Sequence, residues 1–283
     1  MIKYFLPISV KEALEILNKN DCYILSGGTD LMVQKHFSSG IAPKFDKDII
    51  FVRNLKELDY IKLDNDGNVR VGATTKYYEL EQSDLVPQIY KDVISQIASP
   101  NIRNMATLVG NIANASPAGD SLVPLVINDA KVVLSSVNGN REMLVSDFIY
   151  GVRKIHREPN ELITEVILPK QDLTYLYRKV GSRKAETITK VSVLVAYKKE
   201  KNILKDFRVA FGSVSIKTVR NPEIENKYIG MNVEDINVND VINDYYTLVV
   251  PITDQRSTKE YRHKVAMNLL KKFVEEIKGG SDE

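Results

Sequence analysis

Apolar residues recur at helical spacing from Ala13 to Leu17, with Ala13, Leu14, Ile16 and Leu17 on one stripe. Ser9-Val10-Lys11-Glu12 ahead of them has the form of a capping box, and Asn18 to Asp21 ends the run. The pattern then changes to a short apolar strand, Tyr23 to Ser26, that enters Gly27-Gly28. Leu31 to His36 begins a second helix, and Ile49 to Val52 reads as a strand before Leu55-Lys56-Glu57-Leu58, which completes a small α/β unit. Alternating patterns take over next. Ile61-Lys62-Leu63 and Val69 to Gly72, joined by Asn65 to Asn68, form one hairpin. Val132 to Leu134 and Glu142 to Val145 form another across Asn138-Gly139. Helices are expected from Thr75 to about Ser83 and from Asp92 to Ala98.

Pro169 closes a strand from Leu162 to Leu168, and Gln171-Asp172-Leu173 is the expected boundary to a C-terminal part. That part reads as strands Thr174 to Val180, Val191 to Lys198 and Leu204 to Phe211, followed by helices. The mixed-sign run Lys198 to Lys201 is a solvated hairpin turn. The last helix, Ser257 to Lys278, carries Tyr261, Val265, Leu269 and Phe273 at spacings of four as a core stripe. Gly279 to Glu283 reads as a loose tail.

One segment does not follow this patterning. Residues 101–129 gather Thr107, Gly110, Asn111, Asn114, Ser116, Gly119 and Asp120, a set too polar for a core and suited to turning the chain and exposing backbone N–H groups. The Tyr23-to-Leu31 stretch is a second case, a strand running into a glycine loop of the kind that cradles anions. Taken alone, a Gly-Gly after a strand is more often only a tight turn. Neither G-x-G-x-x-G nor a loop ending in Gly-Lys-Ser/Thr occurs in the chain, so the Rossmann and Walker geometries are excluded.

Composition narrows the classes further. At 283 residues and 43% hydrophobic the chain can bury a substantial core as one large or two modest domains. A net charge of +2 gives no footprint for nucleic acid or an anionic membrane. No window reaches the roughly 18 apolar residues of a membrane span, and no secretion signal is evident, so a cytoplasmic location is expected. Cys22, the single cysteine, precludes an internal disulfide and an iron–sulfur cluster held by this chain alone; it reads as a small buried residue. His36, His156 and His263 have no metal-ligand or dyad spacing.

The loops SGGTDL and ATLVGNIANASPAGDSLVPL resemble the two FAD pyrophosphate-binding motifs of the flavoprotein subunit of molybdenum hydroxylases, the family of xanthine, carbon monoxide and nicotinate dehydrogenases. Gly72 to Thr75, the stretch from Tyr177 to Val193, Ala210 to Val214 and ITDQRSTKEYRHKVAMNLL resemble family segments in the same order, so the resemblance spans nearly the whole chain. It implies an α+β fold: a PCMH-type FAD-binding domain at 1–170, made of two α/β subdomains at about 1–55 and 56–170. A C-terminal domain of antiparallel strands and helices, like that of the carbon monoxide dehydrogenase flavoprotein, would follow at 171–283.

The resemblance also implies cofactor-binding residues. Leu25, Ser26, Gly27, Gly28, Thr29, Asp30, Leu31 and Met32 fall in the first loop, and Thr107, Leu108, Val109, Gly110 and Asn111 in the second. Asp120 lies farther along it, and Ala98, Asn114, Ile163 and Lys179 fall at other positions that meet the flavin. Amides of Gly27, Gly28, Thr29, Val109 and Gly110 suit an anionic pyrophosphate, whereas Asp30 and Asp120 should face hydroxyls or ring N–H groups. Lys179 is either a cation at the electron-rich flavin edge or an ordinary exposed strand lysine.

The chain departs from the family pattern at Val109-Gly110, where relatives commonly have Gly-Gly. A positive φ at Val109 would be strained. The implied function is electron transfer. Non-covalent FAD on this chain would take electrons from two-iron two-sulfur clusters on a small subunit, fed by molybdopterin on a large subunit, and pass them to NAD or another acceptor. No catalytic or metal-ligating residue of this chain is implied. A free-standing FAD oxidoreductase is the first alternative and a non-redox nucleotide-binding module the second.

Overall fold

The structure, a computed structural model, describes residues 2–36, 38, 41–184 and 186–279. The chain divides into two compact units, one of residues 1–116 and 129–170, the other of residues 117–128 and 171–283.

In the first unit, β1 (Tyr4–Phe5), α1 (Val10–Lys19), β2 (Cys22–Leu25), α2 (Leu31–Gln34) and β3 (Asp48–Phe51) make a small parallel sheet of order β1-β3-β2. Ser9 caps α1, its side chain accepting from the Glu12 N–H at 3.1 Å. Glu12 reaches back one residue beyond the expected partner, to the Ile8 N–H at 2.8 Å. Ala13 and Leu17 bury the apolar stripe, and Cys22 is buried at the start of β2.

The hairpin of β4 (Ile61–Leu63) and β5 (Val69–Gly72) opens a five-stranded sheet. The chain then passes through α3 (Tyr77–Gln82), α4 (Gln88–Ile94), α5 (Pro100–Arg103) and α6 (Leu108–Asn114). The helix expected from Asp92 to Ala98 lies earlier, as α4. Pro87 precedes its first residue, Ile89, Tyr90, Val93 and Ile94 form its buried face, and Ala98 lies outside it in a left-handed conformation at φ 47°. The apolar residues at 94 and 97 extend the pattern beyond the point where the chain leaves the helix.

After α7 (Leu122–Ile127), which belongs to the second unit, come β6 (Lys131–Ser136) and β7 (Gly139–Leu144), then α8 (Val145–Phe148), β8 (Ile149–Gly151), β9 (Lys154–Ile155) and β10 (Leu162–Leu168). The sheet order β4-β5-β10-β6-β7 puts β10 in the centre, antiparallel to both neighbours, and all seven of its residues are buried. The β6–β7 turn is Val137-Asn138, one residue earlier than expected, because Ser136 already pairs with Gly139.

The second unit has an antiparallel sheet of β11 (Thr174–Val180), β12 (Val191–Glu200) and β13 (Ile203–Gly212), with left-handed Lys201 and Asn202 making the β12–β13 turn. It continues through α9 (Pro222–Asn226), α10 (Val238–Tyr246) and α11 (Lys259–Gly279), which pack with β12 and β13 around one apolar cluster. Phe273 is buried as expected, but the rest of the buried stripe of α11 sits one residue beyond the expected positions, on Arg262, Ala266 and Leu270, and continues to Ile277. Tyr261 is exposed, and Val265 and Leu269 only flank the core. Sequence periodicity misses this shift because the stripe is headed by an arginine. Arg262 is nonetheless buried, donating to the Ser213 carbonyl at 3.0 Å and to Asp254 Oδ1 at 2.7 Å. Gly279 ends α11; the rest of the expected tail, residues 280–283, lies outside the described residues.

Candidate functional site

A cleft of about 500 Å³ opens in the first unit where four chain segments meet. The end of β2 and the loop after it form one wall, and the first turns of α6 form another. The start of β10 and the β8–β9 turn complete it. A side chain at Gly27 would collide with the Met105 carbonyl, so the bare glycine is what lets the first loop rest on the segment leading into α6. Gly28 follows at φ 71°, a left-handed conformation that turns the chain into α2. Ser26 Oγ is buried on the wall of the same cleft and has no hydrogen-bond partner among the described residues.

Thr107 begins α6 in extended conformation, and its Oγ1 accepts from the Gly110 N–H at 2.9 Å. Thr107 itself bridges to Lys76, and the Ala106 carbonyl accepts the Tyr77 N–H at 2.9 Å, which ties this loop to the start of α3. The first helical turn leaves N–H groups without intrahelical partners at the cleft wall. The strain anticipated at Val109 is absent. Val109 lies in the first turn of α6, where a β-branched residue is tolerated, and the left-handed position is Ala115 at the other end of the helix, with φ 47°.

From the first loop, Leu25, Ser26, Gly27, Gly28, Thr29, Asp30 and Leu31 line the cleft. Thr107, Val109, Gly110, Asn111, Asn114 and Ile163 line it from α6 and β10. Leu108 turns its side chain into the core, Met32 packs beside Gly28, and Ala98 follows the lining residue Ile97. Asp120 and Lys179 belong to the second unit, where they form an ion pair at 2.6 Å with side chains only 7% and 5% exposed. The Thr189 hydroxyl donates to the other Asp120 oxygen. Burial pushes the Asp120 carboxyl upward against the opposing pull of Lys179 and Thr189. The alternative of an ordinary exposed lysine at 179 is thereby overturned.

Lining residues not singled out in the sequence include Tyr77, Gln34, Arg153, Ile155 and Arg157. The Arg157 guanidinium is drawn onto its own loop, donating to the carbonyls of Glu158, Pro159 and Glu161. Arg153 lies in the turn between β8 and β9 and Arg157 just after β9, beside strands too short for any periodicity to announce. Burial lowers Arg157 from its ordinary value. The cleft thus offers two glycine-permitted loops in close apposition, a helix start, apolar side walls and basic groups. That donor set fits an anionic, partly aromatic ligand of nucleotide type.

Comparison with known proteins gives this class a family. Residues 1–171 match the FAD binding domain in molybdopterin dehydrogenase, and residues 176–277 match the CO dehydrogenase flavoprotein C-terminal domain. The glyceraldehyde dehydrogenase medium chain of Sulfolobus acidocaldarius is 31% identical over 95% of each chain. The xanthine dehydrogenase FAD-binding subunit of Escherichia coli O157:H7 is 27% identical over 96% of this chain and 94% of that one. A chain of the reconstituted CO dehydrogenase from Oligotropha carboxidovorans shares the fold, with a TM-score of 0.88, 23% identity and 99% coverage of both chains. The chain therefore belongs to the family of FAD-binding subunits of molybdopterin-dependent dehydrogenases, and it is an oxidoreductase subunit with the α+β fold of that family.

Proposed function

We propose that the cleft of the first unit holds FAD non-covalently and that the chain is the electron-transferring flavin subunit of a heteromeric molybdenum hydroxylase. The observation that carries this is the apposition of the two glycine loops, which only a residue without a side chain at position 27 allows, beside a buried Ser26 hydroxyl that lacks a partner among the described residues. Backbone amides of Gly27, Gly28, Thr29 and Val109 would hold the pyrophosphate and Ser26 Oγ would donate to the cofactor, while the Gly110 amide, expected from the sequence to join them, is instead taken by the Thr107 cap. Ile163, Leu25, Thr107, Asn111 and Asn114 would wall the site, with Leu31, Met32, Leu108 and Ala98 shaping it from behind. FAD, when bound, supplies the ability to collect electrons singly and release them in pairs.

The complex would include a large subunit with molybdopterin and a small subunit with two-iron two-sulfur clusters, and it would pass electrons to NAD or another acceptor. We propose a cytoplasmic location for the complex. In domain terms, residues 1–170 would be the FAD-binding domain and 171–283 the C-terminal domain, with residues 117–128 lent to the second unit. The test is to co-express the chain with its genomic neighbours, remove free cofactor by gel filtration, and identify what heat releases. Stoichiometric FAD together with molybdenum- and iron-containing partners is the expected result. A colourless protein under those conditions overturns the reading, and the acceptor that the purified complex reduces decides between NAD and another acceptor.

A further inference from the structure

We infer that Arg153 is a positioning residue of the FAD cleft, the bolt of a polar latch that holds the two glycine loops at cofactor spacing; the inference rests on the FAD reading above. Three segments of the first unit meet at the cleft rim. The first loop and α2 contribute Asp30 and Gln34, the end of α6 contributes Asn114, and the β8–β9 turn contributes Arg153. Gln34 Nε2 donates to the Asp30 carboxylate and, at 2.9 Å, to Asn114 Oδ1. Arg153 Nη1 donates to the same Asn114 oxygen at 3.3 Å and pairs with Asp30 Oδ2 at 3.5 Å. One amide oxygen and one carboxylate thus receive both donors, and this ring of four side chains joins the first loop to the end of α6 at the rim.

The backbone supports the same assignment. The Arg153 N–H donates to the Ala115 carbonyl at 3.0 Å, so the β8–β9 turn is fixed to the end of α6 by main chain as well as side chain. Both residues of that contact are left-handed without being glycine, Ala115 at φ 47° and Arg153 at φ 56°. Such conformations cost free energy and persist where surrounding structure enforces them, often at binding sites. A turn that needed only its backbone shape would be served better by glycine at 153. The arginine is kept at a conformational cost, and what it adds is the side chain across the rim.

Asp30 also finds its role here. A carboxylate beside the loop that would receive a pyrophosphate opposes that charge, and Arg153 neutralises it while leaving the loop amides to the ligand. Both side chains are about half exposed, at 48% and 49%, so each contact is individually weak and screened by salt. The latch therefore acts on how long the cleft stays closed rather than on whether the chain folds.

Arg153→Gly separates the side chain from the backbone, since glycine takes the same φ without strain. In the intact chain, FAD release followed by the recovery of flavin fluorescence should be about fivefold faster in Arg153→Gly, the size expected for a small exposed ionic network. The unfolding midpoint of the cofactor-free protein should hold or rise. Arg153→Lys should recover part of the retention, and raising salt to about 0.5 M should speed release from the unaltered chain but not from Arg153→Gly. Equal release rates in the unaltered chain and Arg153→Gly overturn the latch and leave the FAD reading intact. So does a loss of retention that is matched by a loss of cofactor-free stability. An unaltered chain that retains no FAD overturns both.

Discussion

At the residue scale, Gly27 is the position where the chemistry of the site depends most on a single atom. Its missing Cβ is the space occupied by the Met105 carbonyl, a backbone group that cannot rotate away. Gly27→Ala should force the loops apart at a cost of about 1–3 kcal/mol, as overpacking does elsewhere. FAD content per purified chain should fall at least several-fold while far-UV circular dichroism remains native; full FAD content in this variant would count against the loop assignment. Gly110→Leu is a less clean probe than its sequence suggests. A Cβ there meets Thr107 Oγ1 at 2.9 Å, so the substitution disturbs the cap of α6 as well as access to the cleft. It should lower both FAD content and, by about 1 kcal/mol, stability in urea titrations. The glycines were legible in the sequence because conformational freedom is written into the residue type. Arg153 was not, because its importance lies in where a two-residue turn places it.

At the element scale, β10 shows how a buried strand accommodates a carboxylate. Glu165 sits in the middle of this fully buried strand, where Arg70 Nε donates to it at 2.9 Å, a second Arg70 nitrogen binds its other oxygen, and the Tyr60 hydroxyl donates at 2.6 Å. Burial alone would raise the Glu165 carboxyl, but the bonds from Arg70 and Tyr60 outweigh it and hold the group below its ordinary value. The same carboxylate, with burial, raises the Tyr60 hydroxyl well above its usual range. A carboxyl depressed in the folded state contributes stability above its unfolded value and loses it as pH falls through the folded one. Glu165→Gln should therefore cost about 2 kcal/mol near pH 7, a figure suited to hydrogen bonds with charged partners where Arg70 keeps some solvent contact. The difference from the unaltered protein should shrink as pH falls below about 4.5, where the unfolded chain takes up this proton first, and be lost once pH passes the lower folded value. Urea titrations across that range decide it; a difference that stays constant would show that the ion pair contributes nothing.

The same scale shows what periodicity could and could not reveal. Both hairpins of the first unit were legible because Asn/Gly turns act locally, and β11 to β13 because three consecutive strand-length apolar-rich runs pair as sequence neighbours. Helix α4 was misplaced because Ile97 and Ala98 continue an apolar composition after the backbone has left the helix. The stripe of α11 was displaced by one residue because Arg262, polar by type, is buried through its bonds to Ser213 and Asp254. At α11 a tertiary contact decided what local preference left open.

At the scale of the whole molecule, the chain visits its second unit twice. Residues 117–128 belong to it although 129–170 return to the first. All six residues of α7, Leu122 to Ile127, are buried, and α7 packs on β12 and β13. Its C-terminal carbonyls are taken by two arginines of the second unit: Arg220 donates to Val126 at 3.1 Å and Arg208 to Ile127 at 3.1 Å. Burying five aliphatic side chains of this helix contributes roughly 8–15 kcal/mol as an upper bound, comparable to the whole net stability of an ordinary domain. A cut at 170 therefore does not yield two self-sufficient pieces, despite the strand-ending Pro169 that marks the place in the sequence. Residues 1–170 expressed alone should expose α7 and bind a hydrophobic dye, and residues 171–283 alone should leave the α7-facing surface of β12 and β13 bare and fail to unfold cooperatively. Adding a 117–128 peptide to the second fragment should restore a cooperative transition in proportion to peptide concentration, as mass action requires. A cooperative transition in residues 171–283 without the peptide would show that α7 is dispensable there and that the sheet and the helices α9 to α11 fold around their own core.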